Sequence, residues 1–209
     1  MKIREALALA PVIPVLTVQK LEHAAPLARA LYAGGLKVLE ITLRTTVALD
    51  VIEAMRIAVP DAVVGAGTLL RPEDFGRAEG AGAQFAVTPG LTSRLAEAAA
   101  TVGYPLLPGV ATASEILRAL QLGYDTLKFF PAQQAGGVPM LQAFAGPFAD
   151  VAFCPTGGIS RTTAPSFLRL RNVLCVGGSW VAPAALVDKG DWAGIETLAR
   201  DAAGLSRQS

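Results

Sequence analysis

Histidine and cysteine are almost absent from this sequence. His23 is the only histidine, and Cys154 and Cys175 are the only cysteines among 209 residues. A structural zinc site takes four ligands of these kinds, and a Ser-His-Asp triad needs a histidine base, so both are nearly excluded. Each cysteine lies inside an apolar, strand-like segment, which favours two reduced core residues over a disulfide. His23 follows Glu22 at the predicted start of a helix, where we expect it at the surface or as a cap.

Concentrated positive charge and long apolar runs are absent as well. The formal net charge is +1 and no basic cluster or tail occurs, which argues against a nucleic-acid surface. Prolines, glycines and glutamines interrupt the longest uncharged stretch, residues 129–149, so no run reaches the roughly 18 apolar residues that span a bilayer. The first residues carry Glu5 after Lys2 and Arg4 and lack a convincing cleavage site. No signal peptide is therefore predicted, and we expect a cytoplasmic protein.

Short β-branched segments alternate with segments rich in alanine and leucine along the whole chain. After a short helix over residues 3–9, the predicted strands cover residues 11–18, 37–44, 62–68, 84–89, 104–110, 126–131, 151–157 and 173–178. The helical segments between them have the size that a right-handed βαβ crossover needs. A hydrophobic content of 52% suits strands that are buried on both faces.

The absence of any linker predicts one α/β domain over residues 1–209, a single (β/α)8 TIM barrel with a short N-terminal helix. A doubly wound open sheet is the alternative. That fold normally carries a phosphate-binding fingerprint after its first strand, and none follows residues 11–18.

Charged side chains occupy inward positions of two predicted strands. In residues 37–44 the side chains at 39, 41 and 43 are apolar and suit the helix-covered face, so the alternate set with Glu40 and Arg44 points inward. A buried carboxylate is costly unless it is paired, and one interpretation is a Glu40–Arg44 ion pair that fixes strand register. In residues 126–131 Lys128 faces inward in the same way, although lysine is rarely buried.

The inward-facing lysine suggests a chemical role. A low-dielectric site disfavours the ammonium and favours the free amine, which is the form that attacks a carbonyl carbon. The simpler alternative is a lysine that reaches the barrel mouth only to neutralise Glu40. Both roles are compatible, because Lys128 can form an imine while Glu40 moves the protons around it.

Glycine pairs lie where the seventh and eighth predicted strands run into their loops, a place at which many barrel enzymes bind phosphate. Such loops turn backbone N–H groups toward an anion. The residues at these two places are Gly157, Gly158, Gly177, Gly178 and Ser179. A phosphorylated substrate is therefore predicted, and Arg44 remains available for a carboxylate. Thr68, Thr88 and Pro89 end the third and fourth strands and could line the same mouth.

Seven short motifs, taken in order, resemble the 2-keto-3-deoxy-6-phosphogluconate (KDPG) aldolase family of the Entner–Doudoroff pathway. They are EITLRT (40–45), GAGT (65–68), FAVTPG (85–90), KFFPA (128–132), GGV (136–138), FCPTGGIS (153–160) and GGSW (177–180). The resemblance implies a class I aldolase on a (β/α)8 barrel, usually a homotrimer, that needs no metal and for which we expect no cofactor. Its substrate would be a phosphorylated keto acid, and family members often also cleave 4-hydroxy-2-oxoglutarate (KHG). A related galactonate-type group shares the fold and the lysine, but EITLRT and GGSW favour the gluconate type.

The resemblance also implies roles for individual residues. Lys128 would form the imine, and Glu40 would be the general acid/base. The substrate-binding residues would be Arg44 for the carboxylate, Thr68 near the pyruvyl end, Thr156 close to the imine, Pro89 and Phe130 as pocket walls, and Gly157, Gly158 and Ser179 for the phosphate.

Other functions are compatible with parts of the pattern. A phosphate-binding isomerase or epimerase would use Lys128 only as a charge, and a non-catalytic barrel would bind a phosphorylated acid without turnover. A metal-dependent aldolase lacks histidine ligands here. The preference between KDPG and KHG and the stereochemistry at C4 stay open.

Overall fold

The computed structural model describes residues 2–103 and 105–205 of the chain. Its strands are β1 (Val12–Leu16), β2 (Val38–Thr42), β3 (Val63–Gly67), β4 (Ala86–Val87), β5 (Leu106–Leu107), β6 (Gly109–Val110), β7 (Thr126–Phe129), β8 (Ala152–Pro155) and β9 (Val176–Gly178). Its helices are α1 (Ile3–Leu7), α2 (Ala24–Ala33), α3 (Ala48–Ala58), α4 (Pro72–Gly80), α5 (Ser93–Val102), α6 (Ala113–Gln121), α7 (Gly137–Phe144), α8 (Ala164–Leu168), α9 (Ala184–Lys189) and α10 (Trp192–Ala203). A 3-10 turn, Leu21–His23, precedes α2. The predicted N-terminal helix is confirmed as α1. Tyr104, the first residue of the fifth predicted strand, lies outside the described residues.

Local sequence features explain where several helices begin and end. Thr112 and Glu115 form a capping box at the start of α6, in which each side chain accepts a hydrogen bond from the other residue's backbone N–H. The hydroxyl of Thr92 caps α5 by accepting from the N–H of Leu95. That helix ends at Gly103, whose φ of 79° is readily adopted by glycine.

The strands form two parallel sheets, which confirms the α/β class. One sheet has the order β5-β4-β3-β2-β1-β9 and the other the order β6-β7-β8. Only Pro108 separates β5 from β6 along the chain, and proline cannot donate to a sheet ladder. At the opposite edges, a parallel bridge joins Thr156, after β8, to Gly177 of β9. Each predicted strand contains an observed one, and the fifth contains both β5 and β6.

Alternate side chains of β2 belong to two separate apolar cores. Leu39 and Ile41 pack in the core between strands and helices, whereas Val38 packs in a smaller inner cluster. The other buried members of the inner cluster are Ala6, Leu7, Ile13, Val63, Phe85, Val87, Leu107, Cys154 and Cys175. Since Ala6 and Leu7 belong to α1 and Val38 opens β2, α1 packs near the N-terminal ends of the strands. The polar interior positions therefore lie toward the C-terminal ends.

The environment of His23 differs from the prediction. The residue is 9% exposed, its ring packs edge-on against Trp192 with centroids 5.8 Å apart, and its side chain makes no capping bond to α2. The prediction of a surface or capping histidine was wrong because α10, distant in sequence, packs against α2. Cys154 and Cys175 are both buried, reduced thiols, as predicted. No described helix combines the length and hydropathy needed to cross a membrane.

Candidate active site

A lysine and a glutamate meet in the interior of the protein. Lys128 Nζ lies 3.3 Å from Glu40 Oε1, and the two side chains are only 5% and 4% exposed. Lys128 comes from β7 and Glu40 from β2, which stand in different sheets. The predicted proximity of these two residues is confirmed. The alternative ion pair between Glu40 and Arg44 does not form. Arg44 lies beyond the end of β2, and its Nε donates a hydrogen bond to Thr68 Oγ1 at 3.2 Å.

Gly67 makes room for the carboxylate of Glu40. A Cβ atom added at Gly67 would lie 2.2 Å from Glu40 Oε1 and 2.7 Å from its Cγ, distances that no real side chain tolerates. Gly67 was not among the predicted site residues. A glycine inside a strand often marks a close approach of another group, and the GAG sequence of β3 carries that signal.

Arg44 and Thr68 form a second polar group at the C-terminal ends of β2 and β3. Thr68 has a φ of 62°, and it is the only non-glycine residue with a positive φ among residues 2–103 and 105–205. A threonine in this conformation costs on the order of 1–3 kcal/mol, which is typical of residues held in place at functional sites. Its hydroxyl accepts from Arg44 Nε and so orients the guanidinium.

A cavity of about 150 Å³ opens beside these groups. Six of the ten predicted site residues line it, namely Arg44, Phe130, Thr156, Gly157, Gly158 and Ser179. The other lining residues are Val15, Thr17, Ile159 and Gly177. The ring of Phe130 connects the cavity with the interior pair, since Lys128 Nζ lies 5.2 Å from its centroid. A larger cavity of about 450 Å³ shares Val15, Thr17 and Ser179 with it and extends toward His23.

Of the two predicted glycine pairs, Gly157 and Gly158 lie in the loop after β8, whereas Gly177 and Gly178 belong to β9 itself. Gly157 and Gly158 have φ values of 104° and 73°, a backbone region that favours glycine, and both line the smaller cavity. Gly177 leaves space for Thr156, whose Oγ1 would lie 2.2 Å from a Cβ added there. Ser179 follows β9 directly.

Pro89 stands close to the strand that neighbours Lys128. A Cβ added at Gly109 would lie 2.2 Å from the carbonyl oxygen of Pro89, and Gly109 pairs with Lys128 in the sheet register. Thr88 is fully buried, and its hydroxyl has no hydrogen-bond partner within the described part of the chain.

The described residues contain no group of three or more His, Cys, Asp or Glu side chains that could hold a metal ion.

Comparison with known proteins decides the family. The profile of the family Aldolase, described as KDPG and KHG aldolase, matches residues 3–198. The chain belongs to this family.

Curated members of the KDPG and KHG aldolase family align with almost the whole chain. The KHG/KDPG aldolase of Escherichia coli strain K12 is 53% identical over 192 residues, which covers 92% of this chain and 90% of that protein. The 2-dehydro-3-deoxy-phosphogluconate aldolase of Pseudoalteromonas atlantica is 52% identical and covers 92% of this chain and 89% of that protein.

A solved structure of the family superimposes closely on this fold. The KDPG aldolase of Legionella pneumophila, with pyruvate captured at low pH as a covalent carbinolamine intermediate, has a TM-score of 0.95 and 45% identity. The match covers 98% of this chain and 99% of that one. A carbinolamine forms when an amine of a protein adds to the ketone carbon of pyruvate. Lys128 is a buried lysine of this chain with such an amine.

Proposed function

We propose that the protein is a class I aldolase that reversibly cleaves KDPG to pyruvate and glyceraldehyde 3-phosphate. The same site would cleave KHG to pyruvate and glyoxylate. The observation that carries the proposal is the contact of 3.3 Å between Lys128 Nζ and Glu40 Oε1 in a site almost closed to solvent. An amine beside a carboxyl group supplies both the nucleophile and the proton carrier that imine chemistry needs.

The proposed reaction begins with Lys128. Its amine attacks the C2 ketone to give a carbinolamine, and loss of water gives an iminium ion. Glu40 then takes the proton of the C4 hydroxyl while the C3–C4 bond breaks and its electron pair flows to the iminium. The aldehyde leaves, Glu40 returns a proton to C3 of the enamine, and hydrolysis frees pyruvate and Lys128.

The polar groups around the cavity suit the two anionic ends of KDPG. Arg44 would bind the carboxylate with its terminal amino groups, since its Nε is already bonded to Thr68. Thr68 would stand near the pyruvyl end and Thr156 near the imine. Pro89 and Phe130 would form walls, and the phosphate would bind to the backbone N–H groups of Gly157 and Gly158 and the hydroxyl of Ser179.

The architecture fits a closed (β/α)8 barrel, and we propose that residues 1–209 form one such domain. Support comes from both junctions between the sheets. Pro108 alone separates β5 from β6, and the Thr156–Gly177 bridge joins the end of β8 to β9. The inner cluster beneath α1 would then fill the bottom of the barrel and leave its mouth to the site. The homotrimeric state and the cytoplasmic location stay predictions from the sequence.

Release of pyruvate tests the proposed function directly. With lactate dehydrogenase and NADH as the reporter, we expect pyruvate from both KDPG and KHG, and the same rate in the presence of EDTA. A protein that is stabilised by KDPG but releases no pyruvate would be a binding barrel, and one that rearranges the substrate without cleavage would be an isomerase. Activity that EDTA abolishes would contradict a metal-free imine mechanism.

Gly67→Ala is expected to lower kcat about 10- to 1000-fold with a smaller effect on KM, because the added methyl group must displace the Glu40 carboxylate from Lys128. Steady-state cleavage of KDPG measures the effect. Gly76→Ala is the control, since a Cβ at Gly76 on α4 meets nothing within 4 Å. Equal kcat values for the two variants would show that the position of Glu40 does not matter.

A further inference from the structure

Thr17 occupies a position in the cavity that the proposed roles leave unused. Val15 of β1 stands opposite Glu40 in the sheet register, and Leu16 stands opposite Ile41. Thr17 is therefore opposite Thr42, and by the alternation of side chains it lies on the same face as Glu40, although Thr17 is exposed whereas Glu40 is buried. It lines both cavities, and β1 lies between β2, which leads to Arg44, and β9, which leads to Ser179.

The hydrogen bonds of Thr17 assign the direction of its hydroxyl proton. Thr42 Oγ1 donates to the carbonyl oxygen of Leu16 at 2.9 Å, which uses the one proton that Thr42 has. Thr17 Oγ1 lies 2.8 Å from Thr42 Oγ1, a distance at which either hydroxyl can donate, and while Thr42 donates to Leu16 the donor in this second bond is Thr17. Its oxygen then offers only lone pairs to the cavity.

Thr17 Oγ1, as a hydrogen-bond acceptor, differs from the other polar groups of the cavity. The other polar groups proposed to bind substrate, which include Arg44, Ser179 and the N–H groups of Gly157 and Gly158, are donors suited to anionic oxygens. The lone pairs of Thr17 repel a carboxylate or phosphate oxygen and attract an O–H group. Thr17 therefore suits a hydroxyl that lies between the two anionic ends of the substrate.

We propose that Thr17 accepts a hydrogen bond from the C5 hydroxyl of KDPG and so selects aldehydes with a hydroxyl beside the carbonyl carbon. The inference rests on the proposed aldolase function, in which the C4 hydroxyl meets Glu40. Thr17 lies two residues beyond Val15, the register partner of Glu40, and hence about 6–7 Å closer to the mouth. The next hydroxyl along the chain from C4 toward the phosphate is that of C5.

Aldol addition of pyruvate to two aldehydes tests this proposal. Glyceraldehyde 3-phosphate carries the hydroxyl in question, and 3-oxopropyl phosphate lacks it but keeps the phosphate. Thr17→Val should lower kcat/KM about 3- to 10-fold for glyceraldehyde 3-phosphate, the worth of one neutral hydrogen bond, and leave the deoxy aldehyde unchanged. Thr17→Ser keeps the hydroxyl and should keep the wild-type ratio.

Thr45→Val is the structural control, because it removes a neighbouring bond from Thr45 Oγ1 to the Val18 carbonyl, 2.9 Å long, at a residue outside the cavity lining. Any loss in this variant should be equal for both aldehydes. The proposal is overturned if Thr17→Val affects both aldehydes equally or affects neither. If the wild-type protein adds pyruvate to neither aldehyde and releases none from KDPG, the proposed function itself has failed.

Discussion

Lys128→Met is expected to abolish the covalent trapping of pyruvate by borohydride and to lower kcat/KM for KDPG by on the order of 10⁴-fold or more. Without the amine no imine forms, so there is no electron sink for cleavage of the C3–C4 bond. Methionine fills a similar volume in a site where Lys128 is buried. Mass spectrometry of the intact protein after treatment with pyruvate and borohydride measures the adduct, and the coupled assay measures the rate.

The other lysines of the chain make this experiment selective. Lys2, Lys20, Lys37 and Lys189 are all exposed, so none of them has the buried, carboxyl-paired surroundings of Lys128. Lys37→Met, at the residue before β2, should trap pyruvate as the wild type does. An adduct that survives in Lys128→Met, or one that peptide mapping places on another lysine, would contradict the proposed mechanism.

The same substitution has a separate effect on stability. Removing one partner of a buried ion pair leaves the other uncompensated and typically costs about 3–5 kcal/mol of the free energy of unfolding. The double variant Lys128→Met, Glu40→Gln removes both charges and should recover much of that loss while remaining inactive. Denaturant unfolding of the two variants therefore separates the chemical role of Lys128 from its electrostatic role.

Periodicity in the sequence was sufficient to predict the strands and to place Glu40 and Lys128 inside the fold, because strand side chains alternate strictly between two faces. Periodicity left two partners open for Glu40, namely Arg44 and Lys128. Arg44 is close to Glu40 in sequence, but it lies beyond the last residue of β2 and bonds to Thr68 instead. The partner of Glu40 comes from a strand 88 residues away, and only the tertiary arrangement brings it there.

Two residues near the site, Gly67 and Thr17, were not predicted from the sequence. The first provides room for a neighbouring side chain, and the second is singled out by the direction of a hydrogen bond. Gly67 matters because Glu40 occupies the volume of its absent side chain. The proposed role of Thr17 depends on the hydrogen bond that Thr42 donates to the Leu16 carbonyl. A glycine within a predicted strand can be recognised in the sequence. The direction of a hydroxyl proton cannot, because it depends on the positions of the Thr17 and Thr42 hydroxyls and the Leu16 carbonyl in the folded protein.

Glu40→Gln is expected to lower kcat for KDPG cleavage by about 10²- to 10⁴-fold, the usual worth of a general acid/base. Glutamine keeps the shape and can still accept a hydrogen bond from Lys128, but it cannot take the proton of the C4 hydroxyl or return one to C3. Exchange of the methyl protons of pyruvate with deuterium, followed by NMR, isolates this step because it needs the imine and the proton transfer but no carbon–carbon cleavage.

The expected result is a loss of deuterium exchange as large as the loss of cleavage, while borohydride still traps pyruvate on Lys128. Glu22→Gln serves as the control, since the Glu22 side chain is 73% exposed and should leave exchange unchanged. If Glu40 served only to neutralise Lys128, Glu40→Gln would change stability and keep the exchange rate of the wild type. Deuterium exchange thus distinguishes a carboxylate that carries protons from one that only balances a buried charge.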